Sequence, residues 1–302
     1  MERNDFRFTR HPELLNSCSW FSMRIVKSVS RIQRLAPGLS KPVVLVPTMG
    51  ALHQGHLDLV EQARKLAGRK GSAVATIFVN PAQFGPHEDY GKYPRPFERD
   101  CFLLRKMGCD LLFAPASASM YGPDASVTVT ESQLERVMCG ASRPGHFTGV
   151  CTVVTKLFHL VQPDVAIFGE KDFQQLAILR RMVRDLNFPV RIVGHPIVRE
   201  LDGLALSSRN VYLSAEERQQ APCIQQALRD GEKELRSQPI SRETLENLIR
   251  RRIERAPLAK VDYVAVADPE TLQAKEPKEL PVLLAAAVFF GATRLIDNIL
   301  VK

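Results

Sequence analysis

The sequence predicts an α/β protein, a doubly wound, Rossmann-like parallel sheet followed by a second, smaller α+β domain at the C-terminus. Three observations lead there. From Met23 to about Ile197, short apolar runs alternate with amphipathic helical stretches, the order that builds a parallel sheet with helices on both faces. After Val198 the order changes to two successive helices and then three strand-like runs. A chain of 302 residues, 45% hydrophobic and 25% charged, is long enough to bury a core in each.

Residues 1–22 differ from the rest. They are polar and charge-balanced, with neither the apolar core of a signal peptide nor the acid-poor character of a transit peptide. They are expected to be a poorly ordered extension, with Met23 an alternative start. The first domain is expected over 23–197, with strands at 43–46, 74–79, 111–114, 165–168 and 191–195. Its helices are expected at 56–67, 96–107, 150–160 and 173–186. The first strand, Val43-Val44-Leu45-Val46, is continuously apolar, as a strand buried on both faces must be. In the helix after it, Leu57, Leu59, Val60, Ala63, Leu66 and Ala67 share one face, while Glu61, Gln62, Arg64 and Lys65 take the other. The second domain is expected over 198–302. A hairpin-like turn at Asp202-Gly203 opens it, and Ser214-Ala215-Glu216-Glu217 forms a capping box. Helices at 222–235 and 242–255 and strands at 261–267, 282–290 and 294–301 complete it.

Composition narrows the function. The longest apolar run, Val282 to Phe290, ends at Gly291 and is too short to span a bilayer, so no membrane association is expected. Six cysteines without C-x-x-C pairing point to reduced thiols and a cytoplasmic protein. The net charge of +8 lies wholly in residues 1–197, with 25 Lys and Arg against 17 Asp and Glu; beyond 197 the count is 16 against 16. A basic first domain suits an anionic ligand. No arginine-rich run with interleaved aromatics is present apart from Arg250-Arg251-Arg252, which reads as a solvated helix face, so a polyphosphate explains the imbalance at least as well as nucleic acid.

The chemistry centres on Pro47-Thr48-Met49-Gly50-Ala51-Leu52-His53-Gln54-Gly55-His56, a strand-to-helix turn. Such a turn presents backbone N–H groups and the positive end of a helix dipole to a phosphate. Gly50 and Gly55 have P-loop spacing, but His56-Leu57 stands where that motif needs Lys and Ser or Thr, and no G-x-G-x-x-G follows a strand. His53 and His56 are left as phosphate-side donors whose value grows as charge develops. The same pair also reads as two surface histidines; a zinc site lacks a third ligand nearby.

Two further turns follow strands, and a hydroxyl-rich loop follows the turn at Asp202-Gly203. Gln83, after Asn80-Pro81, reads as a donor–acceptor for a hydroxyl or carboxylate, or as a solvated loop residue. In Gly169-Glu170-Lys171-Asp172-Phe173-Gln174-Gln175, Lys171 suits phosphates, whereas Asp172 and Gln175 have the spacing of a capping box. Ser207-Ser208-Arg209 can close over phosphates or simply form a turn. Arg143-Pro144-Gly145-His146-Phe147 offers two more polar groups before a helix.

With these motifs in register from Met23 to the C-terminus, the chain resembles the pantothenate synthetase family of the HIGH-motif nucleotidyl-transferring superfamily. The resemblance rests on Pro47–His56, Phe78–Phe84, Phe168–Gln175 and Leu206–Asn210. It implies an ATP-dependent ligase that forms a pantoyl adenylate, releases pyrophosphate, and transfers the acyl group to β-alanine with release of AMP. It implies an ATP site at Met49, Gly50, Ala51, Leu52, His53, Gln54, Gly55, His56, Gly169, Glu170, Lys171, Asp172, Val198, Leu206, Ser207, Ser208 and Arg209. His56 would be the catalytic histidine, and His53, Lys171, Arg209 and Mg2+ would act on the phosphates. Gln83, Gln175 and Asn80 would hold pantoate, which replaces the capping role for Gln175. A homodimer and a C-terminal domain acting as a lid are also implied. Pro96 departs from the pattern, which has Thr after Tyr93-Pro94-Arg95, and residues 1–22 have no counterpart in it.

Overall fold

The computed structural model describes residues 23–86 and 88–302. The reading of 1–22 as an extension, and Cys18, lie outside the described residues. The first domain is a six-stranded, all-parallel sheet in the order β1-β4-β3-β2-β5-β6. Its strands are β1 (Arg24–Val26), β2 (Val43–Thr48), β3 (Ser72–Ile77), β4 (Leu111–Phe113), β5 (Val165–Gly169) and β6 (Arg191–His195). Central strand β2 pairs with β3 through all six residues and with β5 at Val44 and Leu45. Val43 through Val46 are all buried, because helices cover both faces of the sheet. Each such side chain contributes about 1.5–3 kcal/mol on burial.

Helix α1 (Val29–Leu35) follows β1, and α2 (Gln54–Ala67) packs Leu59, Val60, Ala63 and Ala67 onto the sheet. Then come α3 (Phe97–Lys106) and the short α4 (Ser117–Met120) and α5 (Met138–Ser142). The opposite face is covered by α6 (His146–Val161) and α7 (Phe173–Asp185). Two expectations shift here. Helix α6 begins four residues earlier than its apolar pattern, with Gly145 at φ +78° turning the chain into it, so His146 sits on its first turn. Strand β3 begins at Ser72 rather than Val74 and ends at Ile77 rather than Val79. The expectations missed β1 and α1.

The second part holds α8 (Ala215–Gln220), α9 (Cys223–Ser237) and α10 (Arg242–Ile253) over an antiparallel sheet, β7 (Ala259–Ala267), β8 (Val282–Phe290) and β9 (Thr293–Val301), in the order β7-β8-β9. Strand β8 is buried almost throughout, as its unbroken apolar sequence predicts. The capping box at Ser214 forms, with the Ser214 hydroxyl accepting from Glu217 N–H and Glu217 accepting from Ser214 N–H. The turn at 202–203 forms as well: Arg199 bridges Ala205, and Glu200 N–H donates to Leu204 O. No helix among the described residues is long and apolar enough to cross a membrane. The five described cysteines are free thiols.

Candidate active site

The carboxyl ends of β2, β3, β5 and β6 converge on a cleft of about 240 Å3, where a parallel sheet of this kind places its ligands. Met49 and His53 line it from the turn between β2 and α2, Gly55 and His56 from the first turn of α2, and Gln83 from the turn after β3. Gly169, Lys171, Asp172 and Gln175 enter from the turn between β5 and α7. Val198, Leu206, Ser207, Ser208 and Arg209 close it from the segment that leads into the second domain.

The expected open backbone donors at the first turn are only partly there. The carboxylate of Asp100, on α3, accepts from Ala51 N–H (2.8 Å) and Leu52 N–H (3.0 Å), and Gly50 N–H donates to the Thr48 hydroxyl (3.1 Å). Leu52 is buried in the core, Gln54 turns outward to Asp58, and Gly50, Ala51 and Glu170 do not line the cleft. Gly50, Ala51, Leu52 and Gln54 build the turn that carries His53 and His56. Gly55 is fixed by space, because a Cβ there would lie 3.1 Å from the His53 ring and 3.7 Å from Val198 Cβ.

The histidines are stacked, with ring centroids 4.0 Å apart. Burial, then the nearby Lys171 charge, pushes His53 down to about 4. Burial, followed by His53 and Lys171, holds His56 well below the ordinary imidazole range. Both are therefore neutral near pH 7, and their contribution is hydrogen bonding rather than the charge considered from sequence. The backbone N–H of His53 donates to His56 Nδ1 (3.3 Å), which leaves the proton of neutral His56 on Nε2. His53 Nδ1 is buried without a partner, an orphaned group that a ligand oxygen would satisfy.

On the other side, Asn80 is buried and its amide is fully engaged. Its Nδ2 donates to Gln83 Oε1 (3.0 Å) and Gly149 O (3.1 Å), and its Oδ1 accepts from the Tyr121 hydroxyl (2.8 Å). Asn80, expected as a substrate ligand, lines the cleft and orients Gln83 there. Gly149 permits this packing, since a Cβ there would lie 2.3 Å from Ala82 O. The adjacent glutamines of α7 divide their roles. Gln174 is buried, accepting from Cys139 N–H and donating to Leu134 O and Val137 O, while Gln175 faces the cleft. Asp172 makes no side-chain cap, so the capping-box reading of this turn fails.

Several partners of the site residues carry no local signal. Arg209 donates from Nε and Nη2 to Asp89 (3.2 and 3.0 Å), and Tyr93 Oη lies 3.3 Å from the Ser208 hydroxyl. Arg143 is paired through Nε and Nη2 with Glu88, both at 2.6 Å. From β9, Asn298 donates to Glu170 O (3.0 Å) and Lys171 O (2.9 Å), while Asp297 holds both terminal nitrogens of Arg199. Among the described residues no three His, Cys, Asp or Glu side chains form a metal-binding group.

A cleft lined by two imidazoles, Lys171, Arg209 and the amides of Gln83 and Gln175 has the groups to take a polyphosphate and a hydroxylated acid. The family described as pantoate-beta-alanine ligase matches residues 24–300. The chain belongs to the pantoate-β-alanine ligase family. It is 53% identical over 257 residues to the pantothenate synthetase of Akkermansia muciniphila, covering 85% of this chain and 91% of that protein. To that of Solidesulfovibrio magneticus it is 51% identical over 280 residues, covering 91% and 97%. The crystal structure of pantothenate synthetase from Thermus thermophilus superposes with a TM-score of 0.86 at 48% identity, covering 92% of this chain and 99% of that one. The pantoate-beta-alanine ligase of Francisella tularensis, complexed with beta-gamma ATP and beta-alanine, gives 0.74 at 31% identity, covering 92% and 98%. Members of this ligase family thus share both the architecture and nearly the whole chain length with this protein.

Proposed function

We propose that the protein condenses pantoate with β-alanine at the expense of ATP, through a pantoyl adenylate, giving pantothenate, AMP and pyrophosphate. The observation that carries the reading is the convergence of His53, His56, Lys171 and Arg209 with Gln83 and Gln175 in one cleft. Pantoate's carboxylate is the first nucleophile. Two neutral amides can orient its hydroxyls while its lone pairs stay free, which a paired arginine would not allow. Charge then builds on the α-phosphate and the departing pyrophosphate. Lys171 and Arg209 oppose it as cations, and His53 and His56 as neutral donors. His56 Nε2–H is the donor we assign to the α-phosphate side.

Magnesium fits this site as a companion of ATP. It needs one or two carboxylates besides phosphate and water, and Asp172 lines the cleft beside Lys171. Bound there, it would supply charge neutralisation at the phosphates. Residues 198–302 serve in this reading as a lid, supported by the Asn298 bonds to the Lys171 turn and by Arg209 itself. A homodimer is supported by the strand-like stretch Ser126-Val127-Thr128-Val129-Thr130, which lies outside both sheets with Val127 86% exposed. A cytoplasmic location accords with the free thiols.

The test is AMP release from Mg-ATP, D-pantoate and β-alanine, with each component omitted in turn. AMP only with all three supports the ligase. Tight ATP binding without AMP would redirect the acceptor to a phosphate-bearing compound.

A further inference from the structure

Arg143 and His146 stand apart from the residues placed on ATP and pantoate, and they border the cleft where it meets a second cavity. That cavity, about 920 Å3, lies between the first domain and the sheet β7-β8-β9. Three cations, Arg143, Lys171 and Arg209, line both spaces, together with His146 and Gln175. On the proposed function, the cleft holds the acyl adenylate when the amine must arrive. The larger cavity is then the remaining approach, and Arg143 stands on its wall.

β-Alanine carries a carboxylate two methylenes from its nitrogen. If the nitrogen reaches an acyl carbon held by Gln83 and Gln175, the carboxylate is drawn in with it and needs a cation nearby. Lys171 and Arg209 are the cations the proposed function assigns to the phosphates. Arg143 is instead tied to Gln83 through one ring: Arg143 Nη1 donates to His146 Nε2 (2.9 Å), and His146 Nδ1 donates to Gln83 O (2.8 Å). Burial, followed by the Arg143 charge, lowers His146 to about 4, so the ring stays neutral and keeps both bonds. The remaining fork of Arg143, Nε with Nη2, holds the Glu88 carboxylate at 2.6 Å on both arms. It therefore already presents carboxylate-binding geometry.

We infer that Arg143 is the anchor for the carboxylate of the amine substrate, which takes the place of Glu88 on the Nε/Nη2 fork. The exchange swaps one carboxylate for another, so the buried guanidinium is never left unpaired. His146 keeps its bonds throughout and acts as a positioning residue that holds the fork at a fixed distance from Gln83.

The experiment compares wild type, Arg143→Gln and Glu88→Gln in two reactions. One is pantoate-dependent exchange of pyrophosphate into ATP, which uses no amine. The other is AMP release with β-alanine or with propylamine, which keeps the nitrogen and lacks the carboxylate. In Arg143→Gln, the KM for β-alanine should rise about 30-fold or more, and the preference for β-alanine over propylamine should fall by a similar factor, out of proportion to any change in exchange. Glu88→Gln, which removes the competing carboxylate, should lower the KM for β-alanine. An Arg143→Gln protein that exchanges pyrophosphate and keeps the wild-type preference overturns the inference. So does a Glu88→Gln protein whose KM is not lowered, and that variant decides alone if Arg143→Gln does not fold. Wild-type protein without pantoate-dependent exchange is a different failure, that of the ligase reading itself.

Discussion

Arg209 grips Asp89 through two nitrogens, at 3.2 and 3.0 Å, and so joins the segment entering the C-terminal domain to the loop that follows Gln83. The same guanidinium faces the cleft beside Lys171. Phosphate oxygens can take both arms only after the carboxylate yields, so Asp89 competes with a nucleotide. Asp89→Asn is expected to bind Mg-ATP about fivefold more tightly, the scale of a partly exposed ion pair. Calorimetric titration of the two proteins measures this, and weaker binding by the variant would mean that Asp89 helps to hold the nucleotide.

His56 is the sharpest internal test of the chemistry. Its ring is buried against His53, and its Nε2–H is the donor assigned to the developing charge. His56→Ala should keep the fold, with an unaltered circular dichroism spectrum, and lose AMP formation by about 10²–10³-fold. Near-normal turnover would remove His56 from the mechanism.

The lowered imidazoles make stability depend on pH in a defined direction. His53 and His146 both move from 6.5 to about 4 on folding, and His56 is also held well below 6.5. Between those limits the unfolded chain binds protons that the folded one refuses. Stability is then highest above the unfolded value and is lost as pH falls from about 6.5 toward 4. Thermal unfolding of ligand-free protein should show Tm decreasing over that window, with a shallower slope in His146→Gln. A slope unaltered by that substitution would show that His146 does not titrate as placed.

Much of this was legible in the sequence because it is local. Continuous apolar runs marked β2, β5 and β8, and periodic leucines marked α2. Strand β1 escaped because three residues make a strand only through their pairing with Leu111–Phe113. Helix α1 is short, with Ile32 its one buried residue. At the site, the turns after strands were readable, yet spacing made Gln175 a cap and gave Gln174 no role: neighbours on a helix differ in burial only once α7 is docked. Asp89 and Arg209 are 120 residues apart, and Asn298 lies 127 from Lys171, so no local pattern could announce either contact. Asp100 escaped for the same reason. It reads as a first-turn acid of α3, whereas its role is to cap a turn 48 and 49 residues upstream.

That role gives a prediction of its own. Replacing Asp100 with Ala would leave the Ala51 and Leu52 N–H groups without acceptors in a largely buried place, at a cost of about 1–3 kcal/mol each before relaxation. The turn that carries His53 and His56 would also lose its brace. Asp100→Ala should lower the urea midpoint and raise the KM for ATP more than that for pantoate; equal rises would place the damage in the sheet as a whole.

Gly149 tests the pantoate side in the same way. A methyl group there would meet Ala82 O at 2.3 Å and Gln83 Cα at 2.7 Å, both backbone atoms that cannot rotate away. Relief requires α6 and the Pro81–Gln83 turn to separate, which also stretches the Asn80 bond to Gly149 O. Gly149→Ala is expected to destabilise the protein by about 1–3 kcal/mol, the range for overpacking. Because Gln83 moves and the phosphate-side residues do not, the KM for pantoate should rise while the affinity for Mg-ATP alone holds. Matching losses for both ligands would mean that Gln83 is not the pantoate-side group.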